Sequence, residues 1–202
     1  LDQTVTPDHL IPVGRGGVIW LRERPADLTT SREGAEKIVS LAKIASQKTG
    51  QKWRETNYLL LQRGPYIIGS GLDEAMSDEP HVLHGRFVNL FDAGLAVTNE
   101  VSIVPRSRWF LLDLDAAQTG KTHLLASAYR SVLKEQNTHE ISFTVEGVGD
   151  TPAIALLESP KAPKSVTLDG QPVTQFEYSS RERLLWIHFG NSAAPRELTI
   201  EY

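Results

Sequence analysis

Two pairs of neighbouring acids are the first candidates for bond-breaking chemistry in this sequence, Asp73 with Glu74 and Asp113 with Asp115. Hydrolysis of a glycosidic bond needs two carboxyl groups about 5 to 10 Å apart across a cleft, one to protonate the leaving oxygen and one to attack or to activate water. Alternate residues of a strand share a face, which would set Asp113 and Asp115 roughly 7 Å apart. The opposing reading is local: carboxylates at strand ends and turns serve hydration and hydrogen bonding to their own backbone. Other nucleophiles have no support. The chain has no cysteine, and it lacks the Gly-x-Ser-x-Gly elbow that exposes a hydrolase serine.

Binding chemistry has its own candidates. Tyr66, Trp109 and Trp186 can each offer a flat ring to the C–H face of a pyranose, and Trp53 and Tyr58 are further aromatics of the same kind. Trp186 shares the phase of His188 and opposes Leu185 and Ile187, which turns it away from a core those two would face. The alternative is that the N-terminal helix covers it. Gly120-Lys121-Thr122 resembles the end of a phosphate-binding loop, but Asp115 stands where that loop has its first glycine, so a polar turn is expected. Gly14-Arg15-Gly16-Gly17 has no helix directly behind it and reads as a tight strand entry rather than an anion nest. His81 and His84 lie near Asp73, Glu74, Asp78 and Glu79, yet residues three apart on a strand face opposite ways and cannot simply share a metal. No metal site and no cofactor is expected.

Composition narrows the partners. The 21 Lys and Arg against 25 Asp and Glu leave a net charge of −4, which argues against a surface for nucleic acid. No apolar run approaches the roughly 18 residues that span a membrane. A chain of 202 residues buries enough surface to build a hydrophobic core without disulfides or metals. It begins at Leu1 and its one methionine is Met76, so a piece of a longer polypeptide is expected.

The elements that must position these residues fall into two styles. In residues 1–55, the glycines at 14–17 lead into Val18-Ile19-Trp20-Leu21, which reads as a buried strand. Then follows an amphipathic helix: Thr30 and Glu33 have capping-box spacing, Ala35, Ile38, Val39, Ala42 and Ala45 share a face, and Gly50 stands at the C-terminal cap. From residue 56 on, short β runs separated by turn signals take over, at 57–61, 66–69, 82–91, 97–104 and 108–114. The stretch 122–135 fits a long strand or a helix, and is read as strand. Asp169-Gly170 is a type I′ hairpin signal after Val166 and Leu168, with Phe176 and Tyr178 continuing the return strand. Leu185, Ile187 and Phe189, and later Leu198, Ile200 and Tyr202, alternate with polar or amphipathic residues as half-buried antiparallel strands do. The fold class expected is mainly β, an antiparallel jelly-roll-like β-sandwich over 56–202, as one body or as two subdomains divided near 135–140. The N-terminal strand and helix would dock on it as the remnant of an upstream α/β domain.

The closing segment Pro163-Lys164-Ser165-Val166-Thr167-Leu168-Asp169-Gly170, with Phe176, Tyr178 and the strand around Leu185 to Phe189, resembles the terminal antiparallel domain behind the catalytic domains of many bacterial glycoside hydrolases. Arg63-Gly64-Pro65-Tyr66, Gly71-Leu72-Asp73-Glu74, Gly85-Arg86-Phe87-Val88-Asn89-Leu90-Phe91-Asp92 and Leu111-Leu112-Asp113-Leu114-Asp115 resemble the C-terminal region of large bacterial glycoside-hydrolase-like proteins. The resemblance implies a periplasmic or secreted accessory module, partnered by an upstream catalytic domain of the same polypeptide and by carbohydrate, with catalytic carboxylates outside this chain. Two other roles stand beside it: a glycoside hydrolase using one of the acidic pairs, and an assembly domain without a ligand.

Overall fold

The computed structural model describes residues 6–73 and 78–202, and the chain divides between Thr56 and Asn57 into two units. In the first, β1 (Leu10–Val13) and β2 (Gly16–Ile19) pair as an antiparallel hairpin, with Leu10 opposite Ile19 and Val13 opposite Gly16. This corrects the single buried strand expected at 18–21: Val13, Val18 and Trp20 are exposed. The run finds its partner in the segment just before it, and a two-stranded ribbon leaves both faces open. A short helix, α1 (Pro25–Leu28), precedes α2 (Arg32–Lys48). The N-cap of α2 lies one residue later than the capping box suggested. Ser31 accepts the Gly34 N–H at 3.1 Å, while the Thr30 hydroxyl is drawn back to donate to the Asp27 carbonyl that closes α1. At the other end Gly50, at φ +72°, donates to the Gln47 carbonyl and Gln51 to that of Ser46, the paired bonds of a Schellman motif.

The second unit begins with a sheet of β3 (Tyr58–Arg63), β4 (Tyr66–Gly71), β5 (His81–Asn89), β6 (Val97–Ile103) and β7 (Arg108–Asp113), ordered β3-β4-β7-β5-β6 and antiparallel throughout. It curls on itself. A side chain at Gly71 would collide with the Val104 carbonyl, and one at Gly69 would meet Ile103, so the edge carrying β6 swings back toward β4. The inside of the curl is filled by Ile67, Phe87, Val101 and Leu111, with Leu83 and Trp109 at its margin.

After one helical turn, α3 (Leu114–Ala117), come β8 (His123–Ser127), β9 (Arg130–Gln136), β10 (Glu140–Glu146), β11 (Pro152–Glu158), β12 (Ser165–Leu168), β13 (Gln171–Pro172), β14 (Phe176–Ser179), β15 (Leu184–Gly190) and β16 (Arg196–Glu201). They form two further sheets, β14-β15-β11-β8 and β13-β12-β16-β10-β9. The ambiguous 122–135 stretch is therefore two strands in two different sheets, broken at Ala128 and Tyr129, where the chain steps from one layer to the next. Asp169 and Gly170 both take positive φ, 51° and 75°, and join Leu168 to Gln171 as a type I′ turn. The return strand ends after two residues, though, and Phe176 and Tyr178 pair with β15 in the other sheet rather than continuing beside β12.

The layering is visible in β11. Its run Ala-Ile-Ala-Leu-Leu is buried along its whole length, as a strand covered on both faces requires. Ala155 and Leu157 pack with Leu185 and Ile187 against Phe143, Val166, Leu198 and Ile200 of the β10-containing sheet. Ile154, Leu156 and Leu184 point the other way, against Val88, Leu95, Leu112 and Leu114 of the first sheet and α3. Within this unit the architecture is an antiparallel β-sandwich extended to three layers, with the β11 sheet in the middle. Each fully buried Leu or Ile contributes roughly 1.5 to 3 kcal/mol.

Candidate functional site

Between the first sheet and the middle sheet, toward the open end of β8, lies a groove of about 640 Å³. Pairing of β4 with β7 sets Tyr66 opposite Leu112 and Ile68 opposite Phe110, so Tyr66, Ile68 and Phe110 share the face that looks toward the middle sheet. The Tyr66 and Phe110 rings are 5.8 Å apart and tilted by 36°, and Phe91 stands 6.0 Å beyond Phe110, tilted by 57°. Phe91 is 67% exposed and Tyr66 40%. Leu124, Leu125, Ala126 and Ile154 make the opposite wall, and Asp92, Ser127 and His188 are its polar members.

Phe91 sits on a loop held at several points. Asn89 Oδ1 accepts the Phe91 N–H at 3.1 Å, and the Asp92 carboxylate accepts the N–H groups of Gly94 and Ala96 at 3.2 Å each. The loop is then tied to the middle sheet: Leu95, buried with φ +49°, presents its carbonyl to the Trp186 indole N–H at 3.0 Å.

Of the three aromatic candidates from the sequence, Tyr66 lines this groove and the other two do not. Trp186 is half-buried and packs with the Val88 and Leu112 cluster; its role here is to position the Phe91 loop. Trp109, out of phase with Phe110, turns toward the inside of the curled sheet, where its buried Nε1 has no hydrogen-bond partner among the described residues. Phe91 and Phe110 carried no signal in the sequence, because Phe110 meets Tyr66 through the pairing of β4 with β7, two strands separated in the chain by β5 and β6.

The acidic pairs take other positions. Asp113 and Asp115 are not alternate residues of one strand: β7 ends at Asp113, whose Oδ1 accepts the N–H groups of Asp115 at 3.0 Å and Ala116 at 3.3 Å and caps α3. The strand geometry expected for the pair is thus corrected, because the cap turns the chain at that residue. Asp115 instead pairs with Arg86 at 3.1 Å. Arg86 also grips Glu182 at 2.7 Å and joins the first sheet to the turn before β15. Asp73 lies 3.4 Å from Arg108, and Glu74 lies outside the described residues.

The Gly120-Lys121-Thr122 turn does hold an anion, one supplied by this chain. The fully buried Glu158 carboxylate accepts the Thr119 N–H at 2.6 Å and the Gly120 N–H at 2.8 Å, with His123 Nδ1 at 3.4 Å. His81 stacks on Tyr58 at 3.8 Å, and His84 faces Glu100 at 3.7 Å. Among the described residues no three His, Asp or Glu side chains cluster as metal ligands would, and no helix is long and apolar enough to cross a membrane.

Fold and groove together define an antiparallel β-sandwich module with an aromatic-walled cleft. No protein-family model and no curated protein matches the sequence. Among solved structures the chain is similar to the GH31 dextranase of Flavobacterium johnsoniae complexed with glucose, at 9% identity and a TM-score of 0.33, over 68% of this chain and 26% of that one. A mutant of the same dextranase complexed with isomaltotriose gives 10% identity and a TM-score of 0.33, over 88% and 31%. An uncharacterized protein of Listeria monocytogenes EGD-e gives 11% identity and a TM-score of 0.24, over 67% and 18%. The chain spans less than a third of each of these proteins. Likeness at these scores leaves the chemistry of the groove to be argued from its own residues.

Proposed function

We propose that this chain is a non-catalytic accessory module that contacts carbohydrate, its groove holding part of a glycan for a carbohydrate-active domain of the same polypeptide in an extracytoplasmic setting. The observation that carries the reading is the groove itself: about 640 Å³, with Tyr66, Phe91 and Phe110 along one wall and a small set of polar groups at its margin. Its volume falls in the range of roughly 300 to 1,000 Å³ usual for ligand sites. Exposed rings offer the apolar faces on which pyranose C–H groups stack, while the polar groups serve hydroxyls. The engagement of Asp113 in a cap and of Asp115 and Asp73 in ion pairs supports a binding role over hydrolysis.

Affinity electrophoresis of the full chain through gels containing soluble polysaccharides tests this. Retardation is expected with at least one of them, and Tyr66→Ala with Phe91→Ala should abolish it without altering the circular dichroism spectrum. Release of reducing ends that disappears in Asp113→Asn would overturn the non-catalytic reading. Unretarded migration through every gel would overturn the carbohydrate reading.

A further inference from the structure

We infer that the groove selects uncharged saccharides and turns away acidic ones; this rests on the carbohydrate reading above and names the ligand class for it. Among the described residues that line the groove there is no Lys and no Arg, and the charged side chain at its margin is the Asp92 carboxylate. A uronate or sulfated sugar is ordinarily held by the forked guanidinium of Arg or the ammonium of Lys, because an anion stripped of water without such a partner is costly to bury. Here the anion would enter between aliphatic and aromatic walls and face a like charge. Asp92 is fixed in that place, since its two oxygens accept the N–H groups of Gly94 and Ala96.

The polar groups left for a ligand suit hydroxyls. No hydrogen bond within the described residues occupies the Tyr66 hydroxyl or the ring of His188, whereas the Ser127 hydroxyl donates to the Tyr129 carbonyl at 2.9 Å. A phenol and an imidazole can each donate or accept with a sugar hydroxyl and need no counter-charge. Stacking on Phe91 and Phe110 needs no counter-charge either, and the negative face of each ring gives an anion no partner, so the charge that acts at the margin is that of Asp92.

The test is calorimetric titration of the full chain in one buffer. Maltoheptaose and cellohexaose serve as neutral probes, and hexagalacturonate and a hyaluronan hexasaccharide as acidic ones. The better neutral probe should bind at least about tenfold tighter than either acidic one. Ala93→Lys, at an exposed position of the groove margin, should raise the ratio of acidic to neutral affinity by about three- to tenfold. An acidic probe that binds wild type as tightly as the neutral ones, or a Lys variant with an unchanged ratio, would overturn the charge selection while leaving the groove as a saccharide site. If no probe binds, or if binding survives Tyr66→Ala with Phe91→Ala, the carbohydrate reading itself fails and takes this inference with it.

Discussion

Glu158 is a side chain whose surroundings set its role completely. Its carboxylate has no solvent exposure and is met by two backbone N–H groups of the 119–120 turn and by His123. Removing it leaves those donors, and Arg183 at 3.9 Å, without their acceptor, so Glu158→Ala should cost about 2 to 4 kcal/mol and Glu158→Gln, which keeps one acceptor, clearly less; urea unfolding checks both. Asp169 gives a prediction in pH. Its carboxylate accepts the Glu197 N–H and pairs with Arg196, each at 2.8 Å, and these contacts, the backbone N–H first, hold it below the ordinary carboxyl value. Folding therefore favours the ionised form. The stabilisation is full above the unfolded value of about 4 and fades as pH falls through the lower folded one. Asp169→Asn keeps a residue that tolerates positive φ but loses the charge. Its urea midpoint should lie below wild type at pH 7, with the gap closing toward pH 3; a gap that persists in acid would contradict the assignment.

At the scale of elements, the first sheet depends on close approach and the groove on one loop. Gly71 lies where any Cβ would occupy the space of the Val104 carbonyl, and backbone cannot give way as a flexible side chain can. Gly71→Ala should cost about 3 kcal/mol or more, read as a fall in melting temperature, by prying β6 away from β4. The loop carrying Phe91 is fastened to the middle sheet through Trp186 and Leu95. Trp186→Phe keeps most of the packing and removes the indole donor. On the proposed carbohydrate reading it should lower saccharide affinity by about three- to tenfold while changing overall stability by only about 1 kcal/mol, which separates positioning of Phe91 from support of the core. Many elements were legible beforehand for local reasons. The Asp169-Gly170 turn, the Gly50 cap and the alternation of Leu185 and Ile187 each express chemistry within a few residues. The Thr30 cap and the strand continuation to Phe176 misled because a neighbouring element competed: α1 claimed Thr30, and β15 claimed the strand holding Phe176.

At the scale of the molecule, burial is uneven between the two units. Among the described residues, every buried hydrophobic residue except Leu28 belongs to residues 57–202, where three sheets enclose two cores between them and a third cluster fills the curl of the first sheet. The fragment 57–202 should fold alone, unfold in one cooperative transition and, on the proposed carbohydrate reading, keep the saccharide affinity of the full chain. The fragment 1–56 should show partial helicity without a cooperative transition, because an isolated helix of 17 residues with a two-stranded ribbon has little to bury. Failure of 57–202 to fold would show that its cores are incomplete without the first unit.

Local pattern in the chain determined that the protein is mainly antiparallel β and where the strands of the first sheet lie to within a few residues. Those properties follow from side-chain periodicity and turn stereochemistry, which act over a few residues. The tertiary structure alone decided that Tyr66, Phe91 and Phe110 form one wall, that Trp186 anchors a loop 91 residues away in sequence, that Asp113 is a cap, and that Glu158 fills the turn at Gly120. Each of these depends on which sheets stack and in what register, and that choice is made by long-range packing that no short stretch of sequence encodes.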